Sequence, residues 1–141
     1  SSGAGENVQA NVVIGFNGQV YVGSSGGILQ FTTSGIYVKN IAVSSGSLVG
    51  VGTRLISGSS YSANSGISYS DDNGATWTAS SQTTGSFTTL YQAGTVVLAS
   101  SGSNGGIKYS VDNGANWSAS NSISQYWLYK FSKVPASCSF L

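Results

Sequence analysis

The sequence predicts an all-β fold built from tandem four-stranded antiparallel units with a period of 39 to 40 residues. Three observations carry this. Residues 67–80, ISYSDDNGATWTAS, return at 107–120 as IKYSVDNGANWSAS, with changes only at Ser68/Lys108, Asp71/Val111, Thr76/Asn116 and Thr78/Ser118. Short runs of β-branched and aromatic residues alternate with glycine-centred turns along the chain. No stretch carries an apolar period of 3.6 over the roughly 11 residues that identify a helix.

Taken in order, the first unit spans about residues 12–40. NVVIGFNGQ and VYVGSSGG each read as an apolar run ending in a small polar turn, and ILQFTTSGIYVKN reads as two strands around Ser34-Gly35. This third segment is a decayed first copy of the 67–80 motif, with Ser34-Gly35 at the place of Asn73-Gly74 and Val38 at that of Trp77. The second unit, residues 41–80, repeats the order with SLVGVGT, RLISGSSYSANSG and ISYSDDNGATWTAS. The third, residues 81–120, does so with FTTLYQAGT, VVLASSGSNGG and IKYSVDNGANWSAS. Residues 121–141 contain the alternating YWLYKF and the short ASCSFL, separated by Pro135, and read as the first half of a fourth unit.

The segment Ser70–Trp77 has a chemistry of its own. An aspartate ahead of Asn-Gly accepts hydrogen bonds from the amides of its own turn, and glycine supplies the positive φ of a tight reversal. Asp72 and Asp112 are therefore expected to brace turns, with Trp77 and Trp117 anchoring each hairpin in the core. The pattern resembles the Asp-box, S/T-x-D-x-G-x-T/S-W, of sialidases, sortilin-type receptors and several secreted glycosidases and lectins. Ser70, Asp72, Gly74, Thr76 and Trp77 match it in full; Ser110, Asp112, Gly114 and Trp117 match it with Asn116 in place of the hydroxyl residue. The resemblance covers about residues 12–120 and implies a β-propeller-like stack of blades, three and a partial fourth, with the box in a structural role on a hairpin between outer strands. Propellers usually close with about four to eight blades. The chain is accordingly expected to pair with copies of itself, to form part of a larger ring, or to stack as an open array.

Composition narrows the function. Only 6% of the 141 residues are charged, and the net charge is +1, where about 25% charged residues is usual. Without a basic cluster there is nothing to neutralise a row of phosphates or hold an anionic bilayer, so nucleic acid and membrane insertion are not expected. Catalysis is not expected either. With no histidine, one arginine and one glutamate, the chain lacks the arginine cluster of a sialidase, a facing carboxyl pair and a base for a serine nucleophile. Asp71-Asp72-Asn73-Gly74 superficially suggests a calcium loop, but the twelfth position from Asp71 is Gln82 rather than a bidentate glutamate. No metal or cofactor is expected.

Among the aromatics, Tyr61 stands in the polar loop GSSYSANSG, and Tyr126 and Trp127 lie in the last segment. These are the candidate ligand contacts, since sugar rings stack on aromatic faces while amides and hydroxyls read their hydroxyls. The Ser/Thr/Asn/Gly-rich surface suggests a secreted or surface-exposed protein. The expected function is a non-enzymatic extracellular binding module, carbohydrate-binding or adhesin-like. The alternative is a structural subunit of a virion, fibre or surface layer, joined through strand edges and blade faces. Asn116-Trp117-Ser118 forms an N-glycosylation sequon, and Cys138 is a single thiol with no partner in the chain.

Overall fold

A computed structural model of the chain describes residues 8–24, 26–41, 45–59, 66–101 and 106–120. They form three four-stranded antiparallel sheets and no helix. Sheet 1 contains β1 (Val8–Ile14), β2 (Val20–Ser24), β3 (Gly27–Phe31) and β4 (Tyr37–Ile41). Sheet 2 contains β5 (Ser47–Val51), β6 (Arg54–Ser59), β7 (Gly66–Ser70) and β8 (Thr78–Ala79). Sheet 3 contains β9 (Phe87–Ala93), β10 (Val96–Ser101), β11 (Ile107–Ser110) and β12 (Ser118–Ala119). Each sheet is a meander in which strands adjacent in the chain are adjacent in the sheet. Tyr61, Tyr126, Trp127, Cys138 and the half unit expected at 121–141 lie outside the described residues.

Turn chemistry explains why each strand returns beside its predecessor. Val51 pairs with Arg54 and Ala93 with Val96 across two-residue turns, each led by a glycine at positive φ, Gly52 at 59° and Gly94 at 62°. Such turns match the right-handed twist of the strands they join.

A common register relates the sheets. Gly23 pairs with Ile28, Gly58 with Ile67 and Ser100 with Ile107, so these pairs occupy one position in sheets 1, 2 and 3. From it the period of two, where the register is unbroken, assigns strand side chains to a front face, turned toward the next sheet in the chain, or to a rear face. The front of sheet 1 presents Val13, Tyr21, Ile28 and Ile41, which pack with Leu48, Leu55 and Trp77 of sheet 2. The front of sheet 2 presents Val49, Val51, Ile56, Ile67 and Tyr69, which pack with Phe87, Leu90, Val97, Ala99 and Trp117 of sheet 3. The core is thus two successive seams made by the same rule. Polar groups tie the seams as well: Ser47 Oγ donates to Phe87 O at 3.1 Å, and Ser45 N donates to Ser24 O at 3.2 Å.

Candidate functional site

The two Asp-Asn-Gly turns are nearly superimposable in their bonding. Asn73 and Asn113 both have φ 56°, followed by Gly74 at 87° and Gly114 at 82°. Two successive left-handed residues make the tight turn for which Asn-Gly is the favoured pair. Ser70 is buried, and its hydroxyl accepts from Gly74 N at 2.8 Å while donating to Asp72 Oδ1 at 2.8 Å. Asp72 in turn accepts from Thr76 N at 2.8 Å and from the Thr76 hydroxyl. Ser110, Asp112, Gly114 and Asn116 repeat this arrangement, with the Asn116 side-chain amide replacing the threonine hydroxyl and donating to Asp112 Oδ2 at 2.7 Å. The sequon nitrogen is therefore engaged in the turn. Each indole closes its hairpin, Trp77 Nε1 donating to Gly74 O at 3.0 Å and Trp117 Nε1 to Gly114 O at 2.9 Å.

These bonds hold both carboxylates ionised. The Thr76 hydroxyl and amide, with Ser70, lower Asp72 to about 2. The Asn116 backbone and side-chain amides lower Asp112 below the ordinary carboxylate range. Every partner is within four residues of the acid, so the carboxylates are occupied by their own turns. Among the described residues no three His, Cys, Asp or Glu side chains come together as a metal cluster.

Asp71 has a different partner from Asp72. Arg54 Nε and an Nη donate to its two carboxylate oxygens at 2.7 and 2.9 Å, and this hydrogen-bonded guanidinium lowers the Asp71 pKa. The same guanidinium lies 4.1 Å from the centre of the Tyr69 ring and donates to Asn113 O at 3.1 Å. Arg54 thus links sheet 2 to the turn of sheet 3. Ser81 adds a second link, with its amide donating to Ala115 O and its hydroxyl accepting from Trp117 N, both at 2.9 Å. Sequence reasoning counted the single arginine without foreseeing this role. The one available signal was covariation inside the repeat, since sheet 3 has Val96 at the place of Arg54 and Val111 at the place of Asp71.

The remaining feature is the contrast between inner and outer sheet faces. Val12, Leu48 and Leu90 occupy equivalent rear-face positions, each opposite the residue before the register position. Leu48 and Leu90 are 6% and 9% exposed, whereas Val12 is 59% exposed. Val20 is likewise half-buried where Leu55 and Val97 are buried. On the front, Tyr21 and Ile28 in sheet 1 and Ile56 and Ile67 in sheet 2 are fully covered, while Leu98 and Ile107 in sheet 3 are half-buried. The turns tell the same story. A Cβ on Gly74 would meet Ile41 Cδ1 at 2.8 Å and one on Gly114 would meet Ile56 Cδ1 at 2.6 Å, but one on Gly35 would meet nothing within 4 Å. The turns of sheets 2 and 3 press on the sheet before; a Cβ on the sheet 1 turn glycine meets no neighbouring atom.

No helix among the described residues is long and apolar enough to cross a membrane. Comparison of the chain with protein-family models, curated proteins and solved structures finds no match.

Proposed function

We propose that the chain is a non-enzymatic assembly module: a short stack of propeller-like blades whose end faces are continued by further protein. The observation that carries this is the exposure of Val12 at a position where Leu48 and Leu90 are buried. Exposed apolar sheet faces of this kind mark interaction surfaces. Ile14 and Phe16, 69% and 74% exposed, extend the same end of the molecule. The local bonding of Ser70, Asp72, Gly74, Thr76 and Trp77 supports reading the two turns as Asp-box hairpins with a structural role, since both carboxylate oxygens of Asp72 accept hydrogen bonds from within the hairpin. A charge-poor surface of hydroxyls and amides suits a secreted or surface-borne assembly. The neutral-glycan reading draws on Tyr61, Tyr126 and Trp127, which the described geometry does not reach.

Titrating dilute chain with an environment-sensitive anilinonaphthalene dye, alongside a glycan array, tests the proposal. Dye binding that falls when Val12 and Ile14 are both changed to lysine is expected, with no saturable glycan. Saturable binding of one glycan class, indifferent to those two changes, would replace assembly with ligand capture as the function.

A further inference from the structure

We infer that Asn113 is a site of spontaneous covalent modification, deamidation through a cyclic imide with Gly114, and that its twin Asn73 is spared. In this reaction the backbone nitrogen of the following residue attacks the side-chain carbonyl carbon. A bond forms between Gly114 N and Asn113 Cγ, the bond from Cγ to Nδ2 breaks, and the amide proton leaves with Nδ2 as ammonia. Water then opens the ring at either carbonyl, leaving an aspartyl or an isoaspartyl residue. Glycine favours the step because it places no side chain in the path of the ring.

The two sites share the sequence Asp-Asn-Gly-Ala, at 72–75 and 112–115, so an unfolded chain offers the same chemistry at both. The fold also gives both glycine amides the same restraint, Gly74 N donating to Ser70 Oγ and Gly114 N to Ser110 Oγ, each at 2.8 Å. Either nitrogen must leave its serine to reach Cγ, so the reaction waits on local opening of the turn. What separates the sites is the peptide group that attacks and the carbonyl that it attacks. Asn113 O and Gly114 N belong to one peptide unit, and Arg54 Nη1 donates to that oxygen at 3.1 Å. The nucleophile is the deprotonated amide, whose charge lies largely on the oxygen, and a guanidinium bonded there stabilises it. Arg54 is the chain's single arginine, so the peptide joining Asn73 to Gly74 has no such partner. As Cγ becomes tetrahedral the charge passes to Oδ1, where a donor or water must meet it. Asn113 is exposed, whereas Asn73 Oδ1 is buried and without a hydrogen-bond partner among the described residues. Desolvation opposes charge on that buried oxygen.

The product bears on the joint between sheets 2 and 3. Either form carries a carboxylate where the amide stood, and the isoaspartyl form adds one backbone atom to a turn whose left-handed residues fit closely against Ile56.

The test is peptide mapping by mass spectrometry of the folded full chain held in mildly alkaline buffer, with the same incubation in denaturant as the reference. In denaturant both asparagines should convert at one rate. In the folded chain Asn113 is expected to convert at least about tenfold faster than Asn73, near the lower end of what a hydrogen bond to a charged group is worth. Arg54→Gln should slow conversion at Asn113 and leave Asn73 as it was. Loosening of the joint alone would speed the reaction, so slowing identifies the chemical role of the guanidinium. Equal rates at the two sites of the folded chain, or a faster Asn73, overturn the inference. So does an intact Asn113 after a period that converts the denatured chain, or a folded Arg54→Gln chain that converts Asn113 as fast as before or faster. If Arg54→Gln does not fold, the comparison of the two sites in the unmodified chain decides.

Discussion

At the level of single residues, Ser70 and Ser110 matter more than their size suggests. Each hydroxyl satisfies the amide of a buried glycine, Gly74 or Gly114, and orients the neighbouring carboxylate. Ser70→Ala leaves that amide without its acceptor, at a cost of about 1–3 kcal/mol. Urea denaturation should show this loss, and a change no larger than an ordinary surface substitution would contradict the hub role. Asp72 predicts the pH dependence. Its folded value of about 2 lies below the ordinary 3.8, so its stabilisation is complete above the unfolded pKa and is lost as pH falls through the folded one. Asp112 shifts in the same direction. The melting temperature should be level from neutral pH to about 4 and fall between about 4 and 2, with a smaller fall in Asp72→Asn; a flat profile down to pH 2 would contradict the bracing role. Asp71→Ala should be the mildest of these changes, because an exposed ion pair contributes only about 0–1 kcal/mol and Arg54 keeps its contacts with Tyr69 and Asn113.

Among the elements, the hairpin turns differ by what lies under them. Gly35 and Gly114 have nearly the same left-handed φ, 85° and 82°, so alanine imposes a similar backbone cost at either site. Only at Gly114 does the added methyl meet a buried side chain, Ile56. Gly114→Ala should therefore be more destabilising than Gly35→Ala by roughly 1–3 kcal/mol, the range for forcing an extra carbon into a packed core. Equal losses in denaturant melts would mean that the turn of sheet 3 does not press on sheet 2.

For the whole molecule, three sheets stacked by one rule give a stability profile set by neighbours. Sheet 2 is covered on both faces, by Tyr21, Ile28 and Ile41 of sheet 1 on one side and by Phe87, Leu90 and Trp117 of sheet 3 on the other. Its amides in β5, β6 and β7 should exchange with deuterium more slowly than those of β1, β2, β11 and β12. Uniform protection across the three sheets would indicate that the end faces are already covered.

The all-β class, the repeat and the identity of the turn residues were legible in the amino-acid string because the interactions behind them are short. Ser70, Asp72, Gly74 and Thr76 bond within four residues, and alternation along a strand has a period of two. Such patterns survive without knowing where the rest of the chain lies. The link from Arg54 to Asn113, 59 residues apart, was not legible, nor was the 40-residue reach from Ser47 to Phe87. Nor could composition separate Val12 from Leu48, which are both apolar residues in similar strands, although one faces outward at an end of the stack and the other packs against a neighbouring sheet. Local sequence determined which residues turn and which extend; the order in which sheets cover one another decided which apolar faces are buried and which remain open, because burial depends on the neighbour and not on the strand itself.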